Sequence, residues 1–236
     1  MTESISANLE LMHQHITQFE KQYSRVPGSV QLLAVSKTHG VDSIRTALAA
    51  GQHNFAENYM QEALAKIATL SDEHILWHFI GPIQSNKTKA LAANFDWIHT
   101  VDRSHIAQRL HEQLPPGKAP LNVLLQVNIS DEDSKAGVSV RELPELAAAV
   151  ASFSRLKLCG LMAIPAPSAD IAAQRRSFAL LAQARATLVE LGHLDCVHLS
   201  MGMSADYEAA IAEGATMIRI GTDIFGARSK RPATDA

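Results

Sequence analysis

The chain has 236 residues, 47% hydrophobic, 19% charged and 5% aromatic, with 21 Lys+Arg against 24 Asp+Glu for a net charge of −3. That balance excludes disorder and low-complexity scaffolding, and the acidic excess argues against broad electrostatic capture of nucleic acid. Two cysteines, Cys159 and Cys196, cannot make a disulfide framework at this length and fit a reducing compartment as small buried residues.

No run approaches ~18 apolar residues, so no membrane-spanning helix is expected. The opening Met1-Thr2-Glu3-Ser4 lacks a basic segment before an apolar one, so no secretory signal is expected and the reading is a cytoplasmic protein. Ile5, Leu9, Met12, Ile16 and Phe19 are spaced 4, 3, 4, 3, which predicts a first helix closed by Pro27-Gly28. A short buried strand follows at 32–36, then a helix carrying Val41, Ile44 and Leu48 and ended by Gly51. A brief strand around 53–55 leads into a helix over 57–70, and a strand over 75–80 is stopped by Gly81-Pro82. Helix 85–94, strand 97–100 and helix 103–113 come next. The Pro-rich stretch 115–120 is too short for a domain linker and reads as a stiff connector. Beyond it come strand 121–129, helix 142–153, strand 156–164, helix 169–191, strand 196–199, helix 204–213 and strand 217–220.

Eight strands, each followed by a helix or a helix-sized segment, predict a single (β/α)8 TIM barrel with an extra N-terminal helix, spanning 1–228 with a loose tail at 229–236. The strands are continuous apolar runs, as parallel strands covered on both faces should be. A doubly wound open sheet is the competing architecture, and it would leave the last βα units unexplained.

In such a barrel, functional groups sit on the loops after the strands. Lys37 follows the first strand directly, where partial burial would free its amine as a nucleophile for Schiff-base chemistry. Taken alone it fits a solvated strand-end lysine better. Ser200-Met201-Gly202-Met203-Ser204 joins strand seven to its helix, with Ser204 placed as an N-cap and Gly202 allowing close approach of a ligand. Arg219-Ile220-Gly221-Thr222 ends strand eight. These two loops are the usual phosphate site of the fold. A phosphate cradle opposite a reactive lysine fits pyridoxal 5′-phosphate, and a lysine-dependent sugar-phosphate aldolase fits the same features. Eleven histidines invite a metal reading, but they are scattered and no metal site is expected. Lys87, Lys89 and Lys135 are candidate secondary amines near the barrel mouth. On the residues alone they read first as solvated charge.

Six blocks carry a resemblance over residues 5–228. They are Leu33-Ala34-Val35-Ser36-Lys37, Glu57-Asn58-Tyr59, the stretch 78–87, the stretch 160–165, Gly202-Met203-Ser204 with Asp206, and Arg219-Ile220-Gly221-Thr222 with Ile224-Phe225-Gly226. In that order they resemble the YggS/PROSC-type pyridoxal phosphate homeostasis proteins. The resemblance implies an alanine racemase-like barrel holding pyridoxal phosphate as an aldimine on Lys37. It implies Ser204, Gly221 and Thr222 at the phosphate, with Ser200 and Met201 in the same loop. Arg219 would face the pyridine nitrogen and Asn58 would line the ring pocket. Three departures stand out: Ala56 in place of a glycine, Asp223 in place of a small residue, and His39-Gly40 in place of a basic-Pro pair.

An arginine can only donate to the ring nitrogen, which makes the cofactor a weak electron sink. Racemisation would also need a second base, which relatives supply as a tyrosine from a further domain. The expectation is a carrier with little or no turnover that hands the cofactor to apo-enzymes, binds neither nucleic acid nor membrane, and is monomeric. The alternative is a narrow-specificity amino-acid racemase.

Overall fold

A computed structural model describes residues 2–130 and 136–226. The expected tail at 229–236 and Lys135 lie outside the described residues. Eight parallel strands close into a barrel: β1 (Gln31–Val35), β2 (Asn54–Glu57), β3 (Leu76–Phe79), β4 (Trp97–Val101), β5 (Leu121–Asn128), β7 (Leu156–Met162), β8 (His198–Ser200) and β9 (Met217–Ile220). Neighbours pair in chain order, and the pairing of β1 with β9 completes the circle. A two-residue strand, β6 (Val138–Ser139), extends the end of β5 outside the barrel and was not anticipated.

Alternation along each strand divides the apolar residues between two layers. Leu33, Val35, Ala56, Ile80, Leu124, Cys159, Met162 and Met217 fill the barrel, whereas Leu32, Ala34, Phe55 and Phe79 belong to the larger core under the helices. The helices are α1 (Thr2–Gln22), α2 (Val41–Ala49), α3 (Met60–Thr69), α4 (Thr88–Asn94), α5 (Ser104–Gln113), α6 (Leu143–Ala151), α7 (Ile171–Glu190), α8 (Tyr207–Ala212) and α9 (Thr222–Phe225). Both cysteines are buried and unbridged. Burial pushes the Cys159 thiol up to about 11 and that of Cys196 up to about 12, so both stay protonated.

The extra helix has a structural purpose. The last unit ends in a helix of only four residues, too short to cover its strand. α1 packs on α2, α8 and α9 in its place, burying Ile5, Leu9, Met12 and Ile16. Each such side chain contributes about 1.5–3 kcal/mol on leaving water. The buried Glu20 fixes the exit from α1, accepting from the backbone N–H groups of Gly28 and Val30 at 2.9 Å each.

Two expectations near strand seven are corrected. β8 begins at His198, because 193–197 is occupied by consecutive turns. The next helix begins at Tyr207, so Ser204 is not its N-cap. Asp206 Oδ1 accepts the Met203 N–H at 2.6 Å, and this side-chain bond holds 203–206 in a turn.

Candidate functional site

The C-terminal ends of the strands open onto a cavity of about 300 Å3. Of the eight residues expected at a ligand, Lys37, Asn58, Ser204, Arg219, Gly221 and Thr222 line it together. They come from the ends of four different strands, which only closure of the barrel brings to one place. Ser200 and Met201 do not line it. Ser200 is the last residue of β8, buried inside the barrel, and Met201 is buried in the outer core. Gly202 is also absent from the wall: its φ of +93° and the Ala210 Cβ, 2.6 Å from where its own Cβ would stand, explain the glycine by packing.

Lys37 is half-buried at the second position of a tight turn closed by the His39 N–H to the Ser36 carbonyl at 3.1 Å. The third position, Thr38, has a φ of +68°. This is where a type II turn normally takes glycine, and a β-branched residue there is strained by about 1–3 kcal/mol. His39 joins the wall and stacks on Phe225 with ring centroids 4.9 Å apart. Burial, with help from the Lys66 charge, pushes the His39 pKa down and keeps the ring neutral at pH 7. Asn58 presents a buried Oδ1 that has no hydrogen-bond partner among the described residues.

Beneath the cavity, a chain of hydrogen bonds crosses the barrel interior. Arg219 Nη1 donates to Ser200 Oγ at 2.8 Å, and Nη2 donates to the Ala163 carbonyl at 3.0 Å. Ser200 Oγ meets His99 Nδ1 at 2.9 Å, His99 Nε2 meets His78 Nδ1 at 2.9 Å, and His78 Nε2 meets Asn54 Oδ1 at 3.4 Å. One direction satisfies every atom. Arg219 occupies a lone pair of Ser200, whose hydroxyl donates to His99 Nδ1; His99 Nε2–H then donates to His78 Nδ1, and His78 Nε2–H to Asn54. Both imidazoles are neutral in this scheme. Burial, reinforced by neighbouring His198, pushes the His78 pKa down to about 3, and burial, reinforced by His78 and Arg219, holds that of His99 well below its ordinary value. Burial also lowers Arg219 to about 10, leaving it charged at neutral pH.

Of the departures noted in the sequence, Asp223 is exposed and absent from the cavity wall. Ala56 is accommodated among the apolar residues filling the barrel. None of the three tyrosines lines the cavity. Tyr207 Oη pairs with His15 Nδ1 at 2.9 Å, Tyr23 Oη donates to Glu208, and Tyr59 is exposed ahead of α3. Lys87 and Lys89 are also outside it, and the described residues hold no cluster of three potential metal ligands.

A family model described as the alanine racemase N-terminal domain matches residues 5–229. A Pseudomonas aeruginosa protein named pyridoxal phosphate homeostasis protein is 53% identical over 225 residues, covering 95% of this chain and 96% of the relative. The chain belongs to the pyridoxal phosphate homeostasis protein family. An Escherichia coli K12 member of the same name is 50% identical over 228 residues, covering 95% of this chain and 97% of the relative. PipY of Synechococcus elongatus, solved with PLP bound, matches with a TM-score of 0.81 at 37% identity, covering 94% of this chain and 100% of PipY. Each of these three proteins covers nearly the whole chain, and the family model's span of 5–229 contains every residue that lines the cavity.

Sequence reasoning missed His78, His99, Glu57 and Lys66 as parts of the site's support. A signal existed for Lys66: it falls three residues after Ala63 on the buried stripe of α3, where an unpaired charge would be costly. The histidines were hidden because period-two alternation inside apolar runs also accommodates ordinary core residues.

Proposed function

We propose that this protein binds pyridoxal 5′-phosphate in the cavity, holds it covalently on the Lys37 amine with little or no turnover, and passes it to apo-enzymes that need it. The observation that carries the reading is the meeting of one amine, one buried cation and two hydroxyl- and glycine-bearing loops in a single cavity. Its volume is at the lower end of the ~300–1,000 Å3 typical of small-molecule sites. The unpartnered Asn58 Oδ1 fits a ligand with a donor to offer. The homeostasis names of the relatives and the PLP-bound PipY support the same reading.

When bound, the cofactor supplies an electrophilic aldehyde on an electron-withdrawing ring. Ser204, Gly221 and Thr222 would receive the phosphate, and Arg219 would face the ring nitrogen. Arg219 carries protons to donate and no lone pair to accept one, so it leaves that nitrogen unprotonated. The ring then withdraws electrons less than it would beside a carboxylate.

Full-length protein loaded with pyridoxal phosphate should show a visible absorption band, and borohydride should fix the adduct on Lys37 in peptide mass spectra. Lys37→Ala should abolish both. A band that persists in Lys37→Ala, or an adduct on another lysine, refutes the assignment. Sustained enantiomer production from a panel of L-amino acids, read by chiral chromatography, refutes the carrier role.

A further inference from the structure

The backbone on both sides of Lys37 is tied to one buried ammonium group outside the barrel wall. Lys66 Nζ, on α3, donates to the Ser36 carbonyl, to Glu57 Oε1 and to Glu62 Oε1, each at 2.7 Å. Ser36 is held a second time, its hydroxyl donating to Glu57 Oε1 at 2.7 Å. Thr38, on the other side, donates its N–H to Glu62 Oε1 at 2.6 Å. The side chains of Lys66 and Glu57 are 6% and 0% exposed, whereas Glu62 is 31% exposed.

We propose that Lys66, Glu57 and Glu62 form a positioning cluster that clamps residues 36 and 38 and so fixes where Lys37 enters the cavity. The proposal rests on the reading of Lys37 as the cofactor-bearing residue. Stability alone does not account for such a cluster, because buried ion pairs are often no better than apolar residues of the same volume. An apolar trio, however, could not bond the Ser36 carbonyl and the Thr38 N–H. The strained Thr38 makes the same point: a threonine at positive φ persists only where its surroundings over-determine the backbone. Here the determinant is the carboxylate of Glu62, itself held by Lys66. The clamp lies on the helix-facing side of β1 and β2, so it acts on the turn without touching the ligand.

Because Glu62 is partly exposed, it can be altered without emptying the core. Three variants of the full chain test the clamp: Glu62→Ala, which removes the acceptor; Glu62→Gln, whose amide oxygen still accepts; and Thr38→Gly, which leaves both carboxylates and lets the turn relax. In cofactor-free protein, Glu62→Ala should raise amide exchange at Thr38 at least tenfold. It should change competitive acetylation of Lys37, measured against exposed Lys89, at least threefold. Loaded with pyridoxal phosphate, it should lose the cofactor at least threefold faster. Glu62→Gln should restore all three, and Thr38→Gly should change Lys37 acetylation in the same direction as Glu62→Ala. Unchanged Lys37 acetylation in Glu62→Ala, or no rescue by Glu62→Gln, overturns the proposal. If acetylation shifts as expected but the wild-type chain takes up no pyridoxal phosphate, the functional reading fails and the clamp stands.

Discussion

Replacing Ser200 with alanine cuts the interior chain at its middle while removing a single oxygen. Ser200, His99 and Arg219 are all buried, at 0%, 0% and 3% exposure, so water cannot replace the lost hydroxyl without repacking. The substitution leaves His99 Nδ1 without its donor and Arg219 Nη1 without its acceptor. An unsatisfied buried neutral group costs about 1–3 kcal/mol, and a lost hydrogen bond to a charged group about 1.5–3 kcal/mol. The sum is about 2.5–6 kcal/mol. At the lower figure the melting temperature of a chain this size falls by roughly 5–10 °C. Calorimetry and urea denaturation read the loss directly. Long-range proton–nitrogen NMR spectra of the imidazoles provide a second assay: in the wild type both His78 and His99 should be neutral with the proton on Nε2, and Ser200→Ala should shift the His99 Nδ1 resonance most. A loss below about 1 kcal/mol, with the imidazole resonances unmoved, would refute the chain as described.

The same histidines set an acid limit on stability. His78 titrates at about 3 in the folded protein against ~6.5 when unfolded; below pH 6.5 the unfolded chain binds a proton that the folded one refuses. Its contribution is fully present above pH 6.5 and is lost as pH falls towards 3, at about 1.4 kcal/mol per pH unit. Urea midpoints at pH 5.5 and 4.5 should therefore converge for His78→Asn and wild type, and parallel lines would contradict the neutral assignment. At the cavity, a Cβ added to Gly81 would stand 2.0 Å from the Asn58 carbonyl oxygen. Gly81→Ala should cost about 1–3 kcal/mol and displace Asn58. Faster loss of pyridoxal phosphate, followed by its visible absorbance, is the expected sign. Retention and stability both equal to wild type would show that this close approach does not matter.

The barrel was legible in the sequence because strands buried on both faces leave continuous apolar runs, and the turns between them carry glycine and proline. Lys37, Arg219, Gly221 and Thr222 were legible because they sit at strand ends, where this fold places chemistry, whereas Asn58 was reached only through the family resemblance. Less was legible where one side chain redirects the backbone. Asp206 holds 203–206 in a turn, so the serine with the best capping chemistry precedes the helix by three residues. Ser200 was assigned to the loop because the strand was placed at 196–199 rather than at His198–Ser200, yet its inward direction makes it the link between Arg219 and the histidines. The Glu57–Lys66 pair is nine residues apart in sequence, and nothing local indicates that a strand end and a helix middle share one ammonium.

The docking of α1 has a consequence for how the chain comes to be folded. Its partners include α8 and α9, and Asn8 Nδ2 donates to the Ile224 carbonyl across 216 positions of sequence. At about 5–20 residues per second, a ribosome makes this helix roughly 10–40 s before the surface that covers its apolar face. The apolar face of α1 must wait, exposed or in provisional company, for the last segments of the barrel. Closure of the ring and seating of α1 then become one late event, which places the danger of aggregation early in synthesis and gives the completed barrel a clasp joining its two ends.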